Sequence, residues 1–307
     1  MQEMGLAYYP GCTLKTRARN LEGPAVASME ALGFELDEVP RWNCCGAVYS
    51  LAEDDLIHQV APVRNLIRVK KQGKTELVTL CAFCLNTLKR ANLLMKEDPA
   101  KRNTLNDFID EGIDYGGEVK VVHLLEVLRD EIGWEVLAQK VKLPLTGLKA
   151  APYYGCTLLR PRDVAIDDVE NPTIVGDFLR ALGASPVDFP ETTTCCGSYQ
   201  VVSAPGDIPE YARPILSSAL RHGAEALVLT CPLCDYNLGR AQKELARRQS
   251  GFKEVPLLYF TQLLALALGL GPQVCHFELN HGHPESLLEE KGLLSRVESV
   301  QPIGGKQ

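Results

Sequence analysis

The 307-residue chain is short of several things, and each shortage removes a class of function. Basic residues are not in excess: 32 Lys and Arg stand against 39 Asp and Glu, giving a net charge of -7. No segment interleaves basic residues with aromatics, so nucleic acid is not an expected partner. The opening residues Met1-Gln2-Glu3-Met4-Gly5 have neither a basic leader nor an apolar segment, so the chain is expected to stay in the cytoplasm, at most peripheral to a membrane complex. The most apolar stretch, Val255 to Leu270, falls short of the ~20 residues of a spanning helix and is interrupted by Thr261, Gln262 and Gly269. It reads as a buried strand followed by a core helix, with no transmembrane segment. No GxGxxG follows a strand and no C-x2-C-x2-C-x3-C run is present. Neither a flavin, a nucleotide nor a ferredoxin site is therefore expected in this chain, and electrons must come from another subunit.

What the sequence does have is cysteine. Eleven cysteines in a chain that is not exported imply reduced thiols holding metal, not disulfides. Ten of them form two sets of five: Cys12, Cys44, Cys45, Cys81 and Cys84, then Cys156, Cys195, Cys196, Cys231 and Cys234. The spacings are C-x31-CC-x35-CxxC and C-x38-CC-x34-CxxC. The flanks repeat as well. Tyr8-Tyr9-Pro10-Gly11-Cys12 answers to Tyr153-Tyr154-Gly155-Cys156, Cys44-Cys45-Gly46 to Cys195-Cys196-Gly197, and Ala31-Leu32-Gly33 to Ala181-Leu182-Gly183. The chain is one module written twice, and its length suits two domains, 1–147 and 148–307, joined near Pro144 to Lys149.

Hydrophobic patterning gives the same elements in each half. In the first, strands are expected at Leu6–Tyr9, Phe34–Val39, Glu76–Leu80 and Val119–Val122. Helices are expected from an Asn20 cap to the stop at Gly33, over 51–72, from Cys84 through Leu94, and over 124–141. The charged stretch 96–118 is an excursion that the second half mostly lacks. There, strands fall at Ala150–Tyr154, Val187–Phe189, Ala226–Thr230 and Val255–Tyr259, with helices at Ile174–Leu182, Pro209–His222, Leu233–Arg247 and Thr261–Leu268. This alternation predicts an α/β fold: two Rossmann-like domains, each a small, mainly parallel sheet flanked by helices. All ten repeat cysteines then lie at the carboxyl ends of strands, the edge where open α/β sheets bind ligands.

Structural zinc is the plainest use of a CxxC pair, yet zinc takes four ligands and each half offers five. Adjacent cysteines diverge from a strand end and so suit a larger object, such as an iron-sulfur cluster. A dithiol redox protein would leave the doublets and the single upstream cysteines idle. Elsewhere, Cys275 with His276, His281 and His283 is a candidate zinc or proton-relay site in the C-terminal tail, against the blander reading of solvated imidazoles. His58, His123 and His222 read as surface or satisfied core residues, Lys70, Lys71 and Lys74 as a solvated helix end, and Gly46 and Gly197 as positions that allow either positive φ or close approach of the backbone to a cluster.

The two C-x31-39-CC-G-x34-36-CxxC motifs resemble the CCG-domain family. Two complete copies in one chain are similar, from Tyr8 to about Leu268, to the B-type subunits of CoB/CoM heterodisulfide reductase and its relatives. The resemblance implies a noncubane [4Fe-4S] cluster on each five-cysteine set and cleavage of a small-molecule disulfide between the two clusters by two one-electron steps. It also implies two partners, a ferredoxin-like iron-sulfur subunit and a flavin-containing subunit. Related two-motif proteins in sulfur-oxidising, succinate or fumarate, lactate and bifurcating complexes imply an alternative role as an electron-transfer subunit.

Overall fold

A computed structural model describes residues 4–47 and 55–294. The chain forms two four-stranded sheets, β1 Met4–Tyr9, β2 Phe34–Glu38, β3 Glu76–Thr79 and β4 Lys120–His123 in one, and β5 Lys149–Tyr153, β6 Ser185–Pro186, β7 Ala226–Leu229 and β8 Leu257–Tyr259 in the other. Every pairing is parallel, and the strand orders β2-β1-β3-β4 and β6-β5-β7-β8 are one topology repeated. In such an order the chain reverses its winding between the first and third strands of each sheet. The helices leave a crevice there, at the carboxyl ends of the strands.

The central strands are apolar because both faces are covered. Ala226 to Leu229 is buried throughout, as are Leu77 and Val78 of β3. Around them, helix Arg19–Leu32 buries Leu21, Ala25 and Met29, four residues apart on one face, and stops at Gly33, whose φ of 90° a β-carbon would oppose. Its first turn departs from expectation. Ala18 occupies the cap, while Asn20 is buried and donates to Asn280 Oδ1 at 3.0 Å, because a tertiary partner satisfies the amide better than a helix end open to water.

Other boundaries also shift. The second strand of the second half is only Ser185–Pro186, with the Val187 N–H still donating to Ala150 O at 2.9 Å. Pro186 has no N–H to extend the ladder. The helix expected over 51–72 is a turn Leu56–Gln59 followed by Val60–Lys71, and residues 51–54 lie outside the described part. The helix expected over 124–141 breaks at Gly133, φ 83°, into Leu124–Ile132 and Trp134–Lys140. The excursion at 96–118 contains a helix, Pro99–Ile109, started by Asp98, whose side chain accepts the Lys101 N–H at 3.0 Å. The three lysines are paired as well as solvated: Lys70 with Glu118 at 2.5 Å, Lys71 with Glu111 at 2.7 Å and Lys74 with Asp37 at 3.3 Å.

The halves exchange helices. Helix Phe260–Ala267 follows β8 but packs on helix Arg19–Leu32 of the first half, with Thr261 Oγ1 donating to Leu21 O at 2.9 Å. Its counterparts after β4 pack on helix Ile174–Ala181 of the second half. All eight side chains of Phe260–Ala267 are buried, which accounts for a run that is apolar without being a membrane span. Among the described residues no helix is long and apolar enough to cross a membrane. Phe260 stacks edge-on to Phe178 at 5.9 Å and lies 5.5 Å from the His123 ring, so residues of both halves share one aromatic core.

Candidate metal centre

The carboxyl edge of each sheet is where the cysteines gather. Cys12 follows β1 and Cys81 follows β3, on either side of the crevice, and Cys156 and Cys231 take the same places after β5 and β7. Cys81 and Cys231 cap the helices Ala82–Glu97 and Pro232–Arg248, so each CxxC spans a strand-to-helix turn. None of the cysteines is in a disulfide.

The ten thiols form one unbroken line. From its solvent end, Cys12 lies 3.7 Å from Cys44, Cys44 adjoins Cys45 in the chain, Cys45 lies 3.6 Å from Cys84, and Cys84 lies beside Cys81. The Cys81 thiol then meets Cys231 of the other half. From there the line runs in mirror order: Cys231 to Cys234, Cys234 to Cys196 at 3.5 Å, Cys196 to Cys195, and Cys195 to Cys156 at 3.6 Å. Cys12 and Cys44 are exposed, Cys156 and Cys195 half-buried, and the six between them buried. Among the described residues no three His, Cys, Asp or Glu side chains converge as ligands of a single metal ion.

Thiols in contact share protons, so a few ionise more readily at the expense of the rest: Cys45, Cys81 and Cys195 are lowered and the other seven raised. Hydrogen bonds from Cys156 and Cys196 pull Cys195 down to about 3, while its bond to Cys195 pushes Cys196 up to about 12. In the first half Cys45 is pulled below the usual thiol range by Cys44 and Cys84, and Cys84 is pushed above it by Cys45. Binding of a metal by these thiols as thiolates would displace the protons that the other seven keep.

The supporting residues obey the same symmetry. Tyr9 donates to Asn43 O at 2.8 Å and Tyr153 to Thr194 O at 2.6 Å, each tyrosine tying the end of the first strand to the residue before a cysteine doublet. Burial, then the nearby thiols, raise both phenols well above their usual range, so they stay neutral donors. The equivalence is therefore Tyr9 with Tyr153 and Gly11 with Gly155, one residue out of the register in which the double tyrosines align. A β-carbon on Gly11 would lie 2.9 Å from Cys84 Sγ, and one on Gly155 would lie 3.3 Å from Cys234 Sγ. Gly46 and Gly197 both have positive φ, 72° and 93°. Asn237 ties down the second doublet loop, donating to Ser198 O at 2.8 Å and Cys196 O at 3.2 Å.

The tail residues take separate places. Cys275 is fully buried with its thiol 3.8 Å from Gln262 O, and burial pushes it up to about 12. His276 packs by Gly23, His281 covers Gly239, and His283 precedes helix Pro284–Glu290. Sequence patterning missed Asp235, which follows Cys234 directly and which burial lifts to about 7, the nearby Tyr259 hydroxyl opposing the shift. Its only signal was a charged residue where the first half has Leu85.

Two four-stranded parallel sheets, each edged by five thiols, define a duplicated cysteine-rich α/β protein. A profile of the CCG cysteine-rich domain matches residues 6–89 and 150–239, and the chain belongs to that family. Its sequence is 34% identical over 277 residues, 90% of this chain and 95% of the relative, to the 8-methylmenaquinol:fumarate reductase membrane anchor subunit of Wolinella succinogenes. It is 28% identical over 279 residues, 90% of this chain and 93% of the relative, to the B subunit of the ferredoxin:CoB-CoM heterodisulfide reductase of Methanosarcina mazei. A crystal structure of a hypothetical protein from Helicobacter pylori, 14% identical, shares the fold with a TM-score of 0.73 over 91% of this chain and 52% of that one. The first two relatives are named as subunits of multi-subunit reductases, which supports a family-level role as an oxidoreductase subunit.

Proposed function

We propose that this chain is the disulfide-reducing subunit of a heterodisulfide-reductase-type complex, with its halves, 1–147 and 148–307, each holding one noncubane [4Fe-4S] cluster. The line of ten thiols meeting at Cys81 and Cys231 carries the reading. The donor set fits such a group: it is all thiolate, it numbers five per half, and the close backbone at Gly11 and Gly155 leaves room at the thiols that a side chain would fill. Cys12, Cys44, Cys45, Cys81 and Cys84 would hold one cluster and Cys156, Cys195, Cys196, Cys231 and Cys234 the other. When bound, the pair would supply the two electrons that a disulfide takes, one from each.

The chain's own residues do the rest. The buried cysteines fix the two sets against each other, and Tyr9 and Tyr153 hold the doublet loops in place. The exposed ends at Cys12 and Cys44 give a small molecule access. Electrons come from partners, a ferredoxin-like iron-sulfur subunit and a flavin-containing subunit, and the assembly works in the cytoplasm. A second reading rests on the 34% relative: the chain relays electrons in a fumarate-reductase-type complex without cleaving a disulfide.

Anaerobic protein should contain about eight irons and as many sulfides, and reduced viologen should drive disulfide cleavage. Cys84→Ser and Cys234→Ser should each abolish cleavage while leaving the other cluster's spectrum, and the double variant should be no worse than either. Clusters that reduce with viologen while no disulfide is consumed would favour the relay. About two zinc ions without sulfide would end both readings.

A further inference from the structure

The pseudo-symmetry should produce two equivalent clefts, each between the loop after one half's first cysteine and the helix that begins in the other half's CxxC. Only one is open. On one side Asn86, two residues beyond Cys84, is buried and donates to Thr157 O at 2.8 Å and Arg160 O at 2.7 Å, fastening the loop after Cys156 against helix Ala82–Glu97. The equivalent of Asn86, two residues beyond Cys234, is Tyr236. There a cavity of about 350 Å³ remains, lined by Thr13 and Arg17 from the first half and by Leu233, Tyr236, Arg240 and His281 from the second.

This cavity is lined by chain neighbours of both cysteine sets. Thr13 follows Cys12, with the two side chains 3.7 Å apart, and Leu233 lies between Cys231 and Cys234. Its charge is unusual for a protein of net charge -7. Arg17 and Arg240 both open onto it, as does Asp235, and among the described residues neither arginine is in an ion pair. Arg240 lies over the Tyr236 ring at 5.2 Å and donates to its hydroxyl, while Asp235 at the cavity wall lies beside Tyr259, its Oδ1 buried and lacking a hydrogen-bond partner among the described residues. Two exposed guanidiniums without acidic partners at the mouth of a pocket are a site for an anion.

We infer that this cleft, and not its sealed twin, receives the substrate, and that Arg17 and Arg240 hold an anionic end group of it, a carboxylate, sulfonate or phosphate. The inference rests on the disulfide reading above. The test compares 3,3′-dithiodipropionate, doubly anionic at pH 7, with neutral bis(2-hydroxyethyl) disulfide on the cluster-loaded protein. Binding to the oxidised protein is read by anaerobic calorimetry and reduction by viologen-driven turnover. The dianion should bind more tightly, and Arg17→Gln and Arg240→Gln should each weaken it about tenfold while leaving the neutral disulfide and the iron content unchanged. Equal affinity for the two probes, no binding of either, or indifference to both substitutions would overturn the assignment. The two readings fail differently. Arginine-dependent binding without turnover leaves the cleft standing and removes disulfide reduction; turnover with an unchanged KM in both variants does the reverse.

Discussion

The glycine before each first cysteine gives the sharpest test of how the thiol line is built. Gly11, Gly155 and Gly73 all have left-handed backbone, with φ of 73°, 64° and 70°, so alanine at any of them incurs the same strain of about 1–2 kcal/mol. They differ in what the new β-carbon would meet. At Gly73 it meets nothing within 4 Å, at Gly155 it meets Cys234 Sγ at 3.3 Å, and at Gly11 it meets Cys84 Sγ at 2.9 Å. The last distance is well inside the roughly 3.5–4.0 Å at which non-bonded heavy atoms are at ease. Cys84 is buried and already 3.6 Å from Cys45, so it has little room to retreat. Gly73→Ala should therefore cost about 1–2 kcal/mol by denaturant unfolding and leave the iron content unchanged. Gly155→Ala should add a small loss of iron, and Gly11→Ala should lose about half of it while the second set's cluster signal persists. Iron retained in full by Gly11→Ala, or lost equally by Gly73→Ala, would show that the backbone at Gly11 does not position Cys84.

Two further outcomes are expected. His123 is buried, its Nε2 donating to Leu80 O at 3.0 Å and its Nδ1 accepting the Leu125 N–H at 3.3 Å; burial lowers its pKa to about 4. The unfolded chain then binds the proton first, so stability is lost as pH falls from about 6.5 towards 4, by about 2 kcal/mol at pH 5. Unfolding at pH 7 and pH 5 should show this difference shrinking in His123→Asn, and an unaltered difference would contradict it. Phe260→Ala removes a ring packed on Phe178 and beside His123 and should cost about 3–5 kcal/mol. Calorimetry should show both halves melting together at a lower temperature, whereas a separate, unshifted transition for the first half would argue against the exchanged-helix core.

The ten cysteines, their division into two sets and the α/β alternation were legible in the amino-acid order, because strand length, turn residues and thiol spacing are local properties. So was positive φ, as one of two readings of Gly46 and Gly197, since a cysteine doublet leaving a strand has to turn at once. Local pattern could not show that Asn20 would prefer Asn280 to its own helix end, because that partner lies 260 residues away. Nor could it place Asp188 and Phe189 outside the ladder, where pairing depends on the partner strand as much as on the residues themselves. Spacing put five thiols on the edge of each half, but only packing brought Cys81 against Cys231 and joined the two sets into one line. The duplication also predicts two equal faces. Tertiary structure broke that equality, since the side chain two residues past each CxxC is an amide that reaches two carbonyls on one side and a phenol that leaves a cavity on the other.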